Sequence, residues 1–182
     1  IQYKENLIMK KQSVKKITFT ALFAALIAVM TAFIKMPTGI NEGYLHFGDS
    51  MIYLAGCLLG PWAALAAAIG GALADILAGA AVWAPATAII KALNAVPFIV
   101  ASHFYFKNKG KQKIVNWYTV PMVIVSGLIT IFGYLLAEGL MYSFPSAWTS
   151  VPFSIIQAVG SAIVFIILGC ALDAVKIQKL MK

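Results

Sequence analysis

Apolar residues in this chain come in long runs, broken by short polar or Gly/Pro punctuation. Runs of this length, with few charges, are the pattern of helices that cross a membrane. Span 1 is predicted from Ile17 to Ile34, followed by a Gly-, Asn- and Pro-containing loop over 35–48. Span 2, Asp49 to Leu59, is short, and Gly60-Pro61 turns the chain. Span 3 runs from Trp62 to Leu77 and is dominated by Ala and Gly; a break at 78–83 precedes span 4, Ala84 to Phe106. After the loop KNKGKQK, span 5 is predicted from Thr119 to Tyr142, ended by a turn at Phe144-Pro145-Ser146. Span 6 runs from Ser150 to Asp173. The expected fold is therefore an all-α integral membrane protein of six transmembrane helices, one membrane domain over 17–176 with basic segments at 1–16 and 177–182.

Composition agrees. The hydrophobic fraction is 62% and the mean hydropathy is +0.89. At about 20 residues per crossing, 182 residues hold roughly six spans. The net charge of +8 comes from 14 Lys and no Arg. Twelve of those lysines fall in three places, Lys4 to Lys16, Lys107 to Lys113 and Lys176 to Lys182. With six spans, these three places share one side, and basic loops mark the cytoplasmic side. Both termini are thus expected in the cytoplasm of a bacterial cell, with the chain multi-pass in its plasma membrane. The clustering speaks for membrane flanks and against nucleic acid as a partner. Residues 1–16 are basic, but no small-residue cleavage site follows, so the first run reads as a retained helix; Met9-Lys10-Lys11 is a candidate native start. Cys57 and Cys170 lie in apolar runs and read as small hydrophobes, and no metal-ligand spacing is present.

Polar groups inside the apolar runs point to function. Asp49, Asp75, Lys91, Glu138 and Gln157 all fall in the outer half of the expected bundle. Lys91 sits about 10 Å below the outer boundary at 1.5 Å per residue. Thr87, Lys91 and Asn94 share one helix face, as do Thr130, Tyr134 and Glu138, and Ser154, Gln157 and Ser161. Three polar stripes suggest a shared wet cavity, since charges in hydrocarbon face a bundle interior. Aromatic residues at the same level, Tyr44, His46 and Trp83 among them, suit the wall of a small-molecule site. The substrate-binding candidates are Asn41, Tyr44, His46, Asp49, Asp75, Trp83, Thr87, Lys91, Asn94, Tyr134, Glu138 and Gln157. Structural alternatives stand beside each: Asp49 as a helix cap, Asp75 and Lys91 as a self-neutralising pair, Trp83 as an interfacial residue. Lys91 is the strongest single candidate, whereas a lone loop histidine such as His46 is more often structural.

Ala21, Ala25, Ala28 and Ala32 share one face of span 1, so another helix can approach closely there, either from this bundle or from a second membrane protein. Catalysis finds no support. Gly48-Asp49-Ser50-Met51 looks like a nucleophile block, but His46 and His103 are the chain's two histidines and no Asp-x-x-His follows. No metalloprotease or phosphate-loop motif occurs.

The series Gly43-Tyr44-Leu45-His46-Phe47-Gly48-Asp49, Leu58-Leu59-Gly60-Pro61, Gly71-Ala72-Leu73-Ala74-Asp75 and Ala84-Pro85-x-Thr87-x-Ile89-Ile90-Lys91 resembles the substrate-capture subunits, or S components, of energy-coupling factor (ECF) vitamin transporters. The likeness is to the riboflavin-transporter-like branch, which includes carriers of hydroxymethylpyrimidine and vitamin B6. It implies a six-helix bundle with an outward-facing vitamin site capped by the first loop. It implies a transmembrane coupling (T) subunit and two cytoplasmic ABC ATPases as partners. No cofactor is expected in this chain; ATP is used by the partner ATPases. The likeness also implies a bundle that topples to release its load, and a docking face at Ala21, Ala25 and Ala28. With no Arg to clamp a carboxylate, and with acidic residues outnumbering Lys91, a compact neutral or weakly basic heterocycle such as hydroxymethylpyrimidine or pyridoxine suits the cavity. A riboflavin-specific S component, a solitary ion-coupled carrier and a membrane scaffold are the alternatives.

Overall fold

The computed structural model describes residues 2–109 and 113–177, with side chains described over 13–105 and 113–177. Most of the lysines read as cytoplasmic flanks, at 4, 10, 11, 107, 109, 111, 179 and 182, lie outside those side chains.

Among the described residues six α-helices follow in chain order: α1 (Gln2–Ala32), α2 (Asp49–Leu59), α3 (Trp62–Ala78), α4 (Ala84–Lys109), α5 (Met122–Met141) and α6 (Phe144–Ala174). Between α1 and α2 stand two short strands, β1 (Lys35–Pro37) and β2 (Tyr44–His46), and a 3₁₀ turn at Ala81–Trp83 precedes α4. α4 packs on α2, α3 and α5; α1 lies on α3 and α2, and α6 on α5 and α2.

The structure revises three expectations. The loop over 35–48 is an antiparallel hairpin, pairing Lys35 with His46, Met36 with Leu45 and Pro37 with Tyr44. Its strands are three residues each, too short for alternation to register in the sequence. Its tip turns through positive φ at Gly39, Asn41 and Glu42, and Asn tolerates that region better than most residues. Second, Phe144-Pro145-Ser146 is the first turn of α6 rather than a turn ending α5. Ser143 caps the helix by accepting from Ser146 N at 3.4 Å, and Pro is at home in a first turn, whose N–H groups lack helical partners. Third, α1 begins well before Ile17.

Among the described residues, four helical segments are long and apolar enough to cross a membrane: Ser13–Ala32, Ala81–Tyr105, Met122–Met141 and Phe144–Ala174. The remaining two helices, α2 and α3, have 11 and 17 residues. α2 is buried continuously from Asp49 to Cys57. Its neighbours, not lipid, surround it, so its length need not match the bilayer. α3 exposes Leu65, Ile69, Leu73 and Ile76 along one side, and α6 exposes Ile156, Val159, Ile163 and Ile167. Apolar flanks of this extent are an unsatisfactory surface in water and a good one in lipid.

Small residues set the closest approaches. A Cβ on Gly70 would lie 2.6 Å from the Ala24 carbonyl oxygen and 2.9 Å from Ile27 Cβ, so α1 and α3 meet through a residue without a side chain. Beyond the polar layer described below, Tyr53 stacks on Phe98 at 4.5 Å, and Phe165 meets both rings edge-on at 5.8 and 5.0 Å. These rings pin α2, α4 and α6 together. Farther toward the C-terminal end of α6, the Asp173 carboxylate accepts from Ile114 N at 2.7 Å and Val115 N at 3.0 Å, tying the approach to α5 onto α6.

Gly70→Leu overpacks the α1–α3 contact. We expect the melting temperature in detergent to fall by roughly 5 °C or more, read by thermal unfolding; an unchanged value would show that the helices slide apart without penalty.

Candidate functional site

Beneath the hairpin lies a partly open cavity of about 80 Å³. Its wall comes from the hairpin (Thr38, Tyr44, His46), α3 (Asp75), the 3₁₀ turn (Trp83), α4 (Thr87), α5 (Tyr134, Glu138) and α6 (Ser150, Phe153, Ser154, Gln157). Such a volume holds about six waters, at one per 10–15 Å³ of water-centre space, or one small ring.

Two latches hold the hairpin over it. Tyr44 OH donates to Asp75 Oδ1 at 2.5 Å. At the tip, the Asn41 amide donates to Glu138 Oε1 and, at 2.6 Å, to Ser146 Oγ. Ser150 Oγ adds a bond to Glu138 Oε1 at 2.7 Å, and Trp83 Nε1 reaches the Asn41 carbonyl at 3.2 Å. Lys35 braces the hairpin base by donating to the Ala78 carbonyl at 2.9 Å. Burial, followed by the charge of Asp75, raises the Tyr44 pKa, so the latch hydroxyl keeps its proton.

The floor is ionic. Lys91 Nζ and Asp49 Oδ1 are 2.5 Å apart, both side chains wholly buried. Asp49 Oδ2 accepts from Gln157 Nε2 at 3.1 Å, and the ammonium lies 5.2 Å from the Tyr134 ring centroid. Gly71 gives the lysine stem its room, since a Cβ there would come within 2.8 Å of Lys91 Cγ. Tyr134 OH donates to Thr87 Oγ1 at 3.2 Å. Asp75 Oδ2 accepts no hydrogen bond of good geometry. The Thr87 hydroxyl stands beside that carboxyl, and Oδ2 itself is buried. Deeper, Asn94 Nδ2 donates to Thr130 Oγ1 at 2.8 Å while its own oxygen has no partner among the described residues.

His46 is buried and accepts at Nδ1 from Gly48 N, 3.1 Å away. Burial first, then the charge of Lys91, lowers its pKa to about 3 against a smaller opposing pull from Asp49. The ring is therefore neutral, with its proton on Nε2.

Of the twelve sequence candidates, eight reach the cavity wall: Tyr44, His46, Asp75, Trp83, Thr87, Tyr134, Glu138 and Gln157. The other four do not line it. Asn41 latches the hairpin from outside, Asp49 and Lys91 form the buried floor without lining the cavity, and Asn94 is deeper still. Lys91 was the strongest single candidate, yet its charge is spent on Asp49. Ser150 and Phe153 were missed. Ser150 extends the Ser154–Gln157 stripe by one turn and was legible; Phe153 is one apolar residue among many. On α1, Ala21 and Ala25 are exposed, whereas Ala28 and Ala32 are buried. The outer half of the small-residue stripe is covered, with Gly48 against Thr31, so Ala28 does not share an open docking face.

A family model described as "ECF-type riboflavin transporter, S component" matches residues 11–174. The chain is also 30% identical over 140 residues to a protein of Pyrococcus woesei named "Uncharacterized protein in gap 3'region", covering 76% of this chain and 88% of that one. It is 30% identical over 121 residues to a UPF0397 protein of Lactiplantibacillus plantarum, covering 64% of each.

Two outcomes follow from this geometry. Asp49→Ala strands a buried ammonium and should cost about 3–5 kcal/mol, whereas Asp49→Asn with Lys91→Met should restore most of that in thermal unfolding. Equal losses in both would show the ion pair is not what holds the floor. The His46 effect has a definite sign. Its folded pKa lies below the unfolded ~6.5, so its contribution is whole above ~6.5 and is lost as pH falls toward about 3. His46→Gln should flatten the fall in melting temperature over that window; an unaltered slope would remove His46 from the account.

Proposed function

The chain belongs to the S-component family of ECF-type riboflavin transporters, and we propose that the cavity under its hairpin captures one compact vitamin or precursor, hydroxymethylpyrimidine or pyridoxine. As a member of that family it is a multi-pass protein of the cell membrane, not an enzyme, and serves vitamin uptake as a substrate-binding subunit alongside T and ATPase subunits. In our reading all six helices cross the membrane, both termini are cytoplasmic, and the hairpin faces outward. The buried course of α2 supports this, because a shielded helix can be short. The working complex is taken to contain one T subunit and two ABC ATPases, which use the ATP. Residues 17–176 make the membrane domain.

The observation that carries the substrate reading is the cavity itself. About 80 Å³ fits a single substituted ring. Its wall carries Asp75 and Glu138 and no unpaired cation, which disfavours anionic ligands. Tyr44, Trp83 and Tyr134 offer ring faces for stacking. Riboflavin is the second reading, favoured by the family description. It requires the hairpin to swing clear and the cavity to enlarge.

Titration of the purified chain, followed by Trp fluorescence, should give sub-micromolar binding of one of the two compact compounds without any partner. Tight binding of riboflavin alone would select the second reading, and silence from all three would end the vitamin reading. Replacing exposed Ala21 or Ala25 with Trp should abolish uptake by the assembled transporter and leave affinity intact; a parallel loss of affinity would make that face internal packing.

A further inference from the structure

We infer that Gln157 is a specificity-determining residue whose hydrogen-bonding sense is set by the buried Lys91–Asp49 pair, and that it makes the site select a ring bearing N–H donors. This inference rests on the vitamin-capture reading of the same cavity. A carboxylate only accepts hydrogen bonds. Because Asp49 Oδ2 stands 3.1 Å from the Gln157 amide nitrogen, the amide is held in one sense, NH₂ toward the floor. Its carbonyl oxygen is left for the cavity that Gln157 lines, with no other partner among the described residues. An unconstrained Gln could turn either end to a ligand; this one cannot. Lys91 fixes the sense from one step back, by holding Asp49 ionised and in place. Lys91 is thus a positioning residue, not a ligand contact.

The rest of the wall has the same bias. Asp75 is 3% exposed and lines the cavity; its Oδ1 accepts from Tyr44, and its buried Oδ2 has no hydrogen-bond partner among the described residues. Glu138 gives Oε1 to Asn41 and Ser150, and no described residue takes Oε2. The opposing donor is His46, whose Nδ1 is occupied by the Gly48 N–H, so Nε2–H is the atom left for a ligand. Acceptors therefore outnumber fixed donors. A primary amine on a heteroaromatic ring brings two N–H donors, and the adjacent ring nitrogen can accept from His46. A hydroxyl brings one donor, and a methyl or a carbonyl none. The wall thus recognises an amino-substituted nitrogen heterocycle over hydroxylated or oxo-substituted rings of the same size.

The test is calorimetric titration of the full chain in detergent with hydroxymethylpyrimidine, its analogue with methyl in place of the ring amine, and pyridoxine. We expect the methyl analogue to bind roughly 100-fold more weakly or worse, because it leaves buried acceptors unpaired, and pyridoxine to fall between. Equal affinity for amine and methyl compounds would overturn the inference while leaving vitamin capture standing. No binding by any of the three or by riboflavin would overturn both. Asp49→Asn with Lys91→Met frees the Gln157 amide to turn over. In that variant, confirmed folded by its melting curve, the amine-to-methyl ratio should shrink at least tenfold. An unchanged ratio would remove the buried pair from specificity, and a variant that fails to fold leaves the three-ligand comparison to decide.

Discussion

An ammonium and a carboxylate meet in the middle of an apolar bundle, and most of the architecture around the site answers to that meeting. Neither Lys91 nor Asp49 touches solvent. Desolvating two charges costs several kcal/mol each before pairing returns it, so the surroundings must leave no bond unmade. Gln157 takes the second carboxylate oxygen, and Gly71 clears a channel for the lysine stem. The pair joins α2 to α4 and, through Gln157, to α6. Those same three helices meet again one layer down through Tyr53, Phe98 and Phe165. Polar and aromatic layers thus enforce a single arrangement of the helices that carry the floor.

The hairpin has a different character. Besides the buried Leu45, it is held by hydrogen bonds to Asp75 and Glu138, two carboxylates that also face the cavity. Latch and ligand therefore share partners. A compound that bonds to Asp75 Oδ1 competes with Tyr44 for it. Segments held this way open at lower free energy than a packed core, which suits a cover that must admit a molecule.

Helix number, helix order and the level of the site were legible in the sequence, because long apolar runs and period-3.6 polar stripes are strong signals. Thr87, Tyr134, Glu138 and Gln157 were placed on one cavity by spacing alone, and the structure brings them to one wall. What spacing could not tell was which polar group faces the ligand and which faces another side chain. Lys91 lies on the same stripe as Thr87, and Asp49 was expected at the same end of the bundle, yet the two satisfy each other. A stripe gives direction on a helix, not depth, and depth decided their role. The hairpin was hidden because three-residue strands carry no readable period, and the start of α6 because Pro145 reads as a breaker unless the Ser143 cap is recognised. The Ala stripe on α1 was read as uniform, but its neighbours cover only half of it.

The sealed floor has a consequence for traffic. Below the ion pair come a stacked aromatic layer and tightly approached Ala and Gly, and the buried polar groups at that depth, Asn94, Thr130 and Ser126, bond to one another between α4 and α5. The molecule is a cup and not a pipe. The cavity lies against the hairpin, and a cup that keeps its floor closed would have to be turned for its contents to reach the other side.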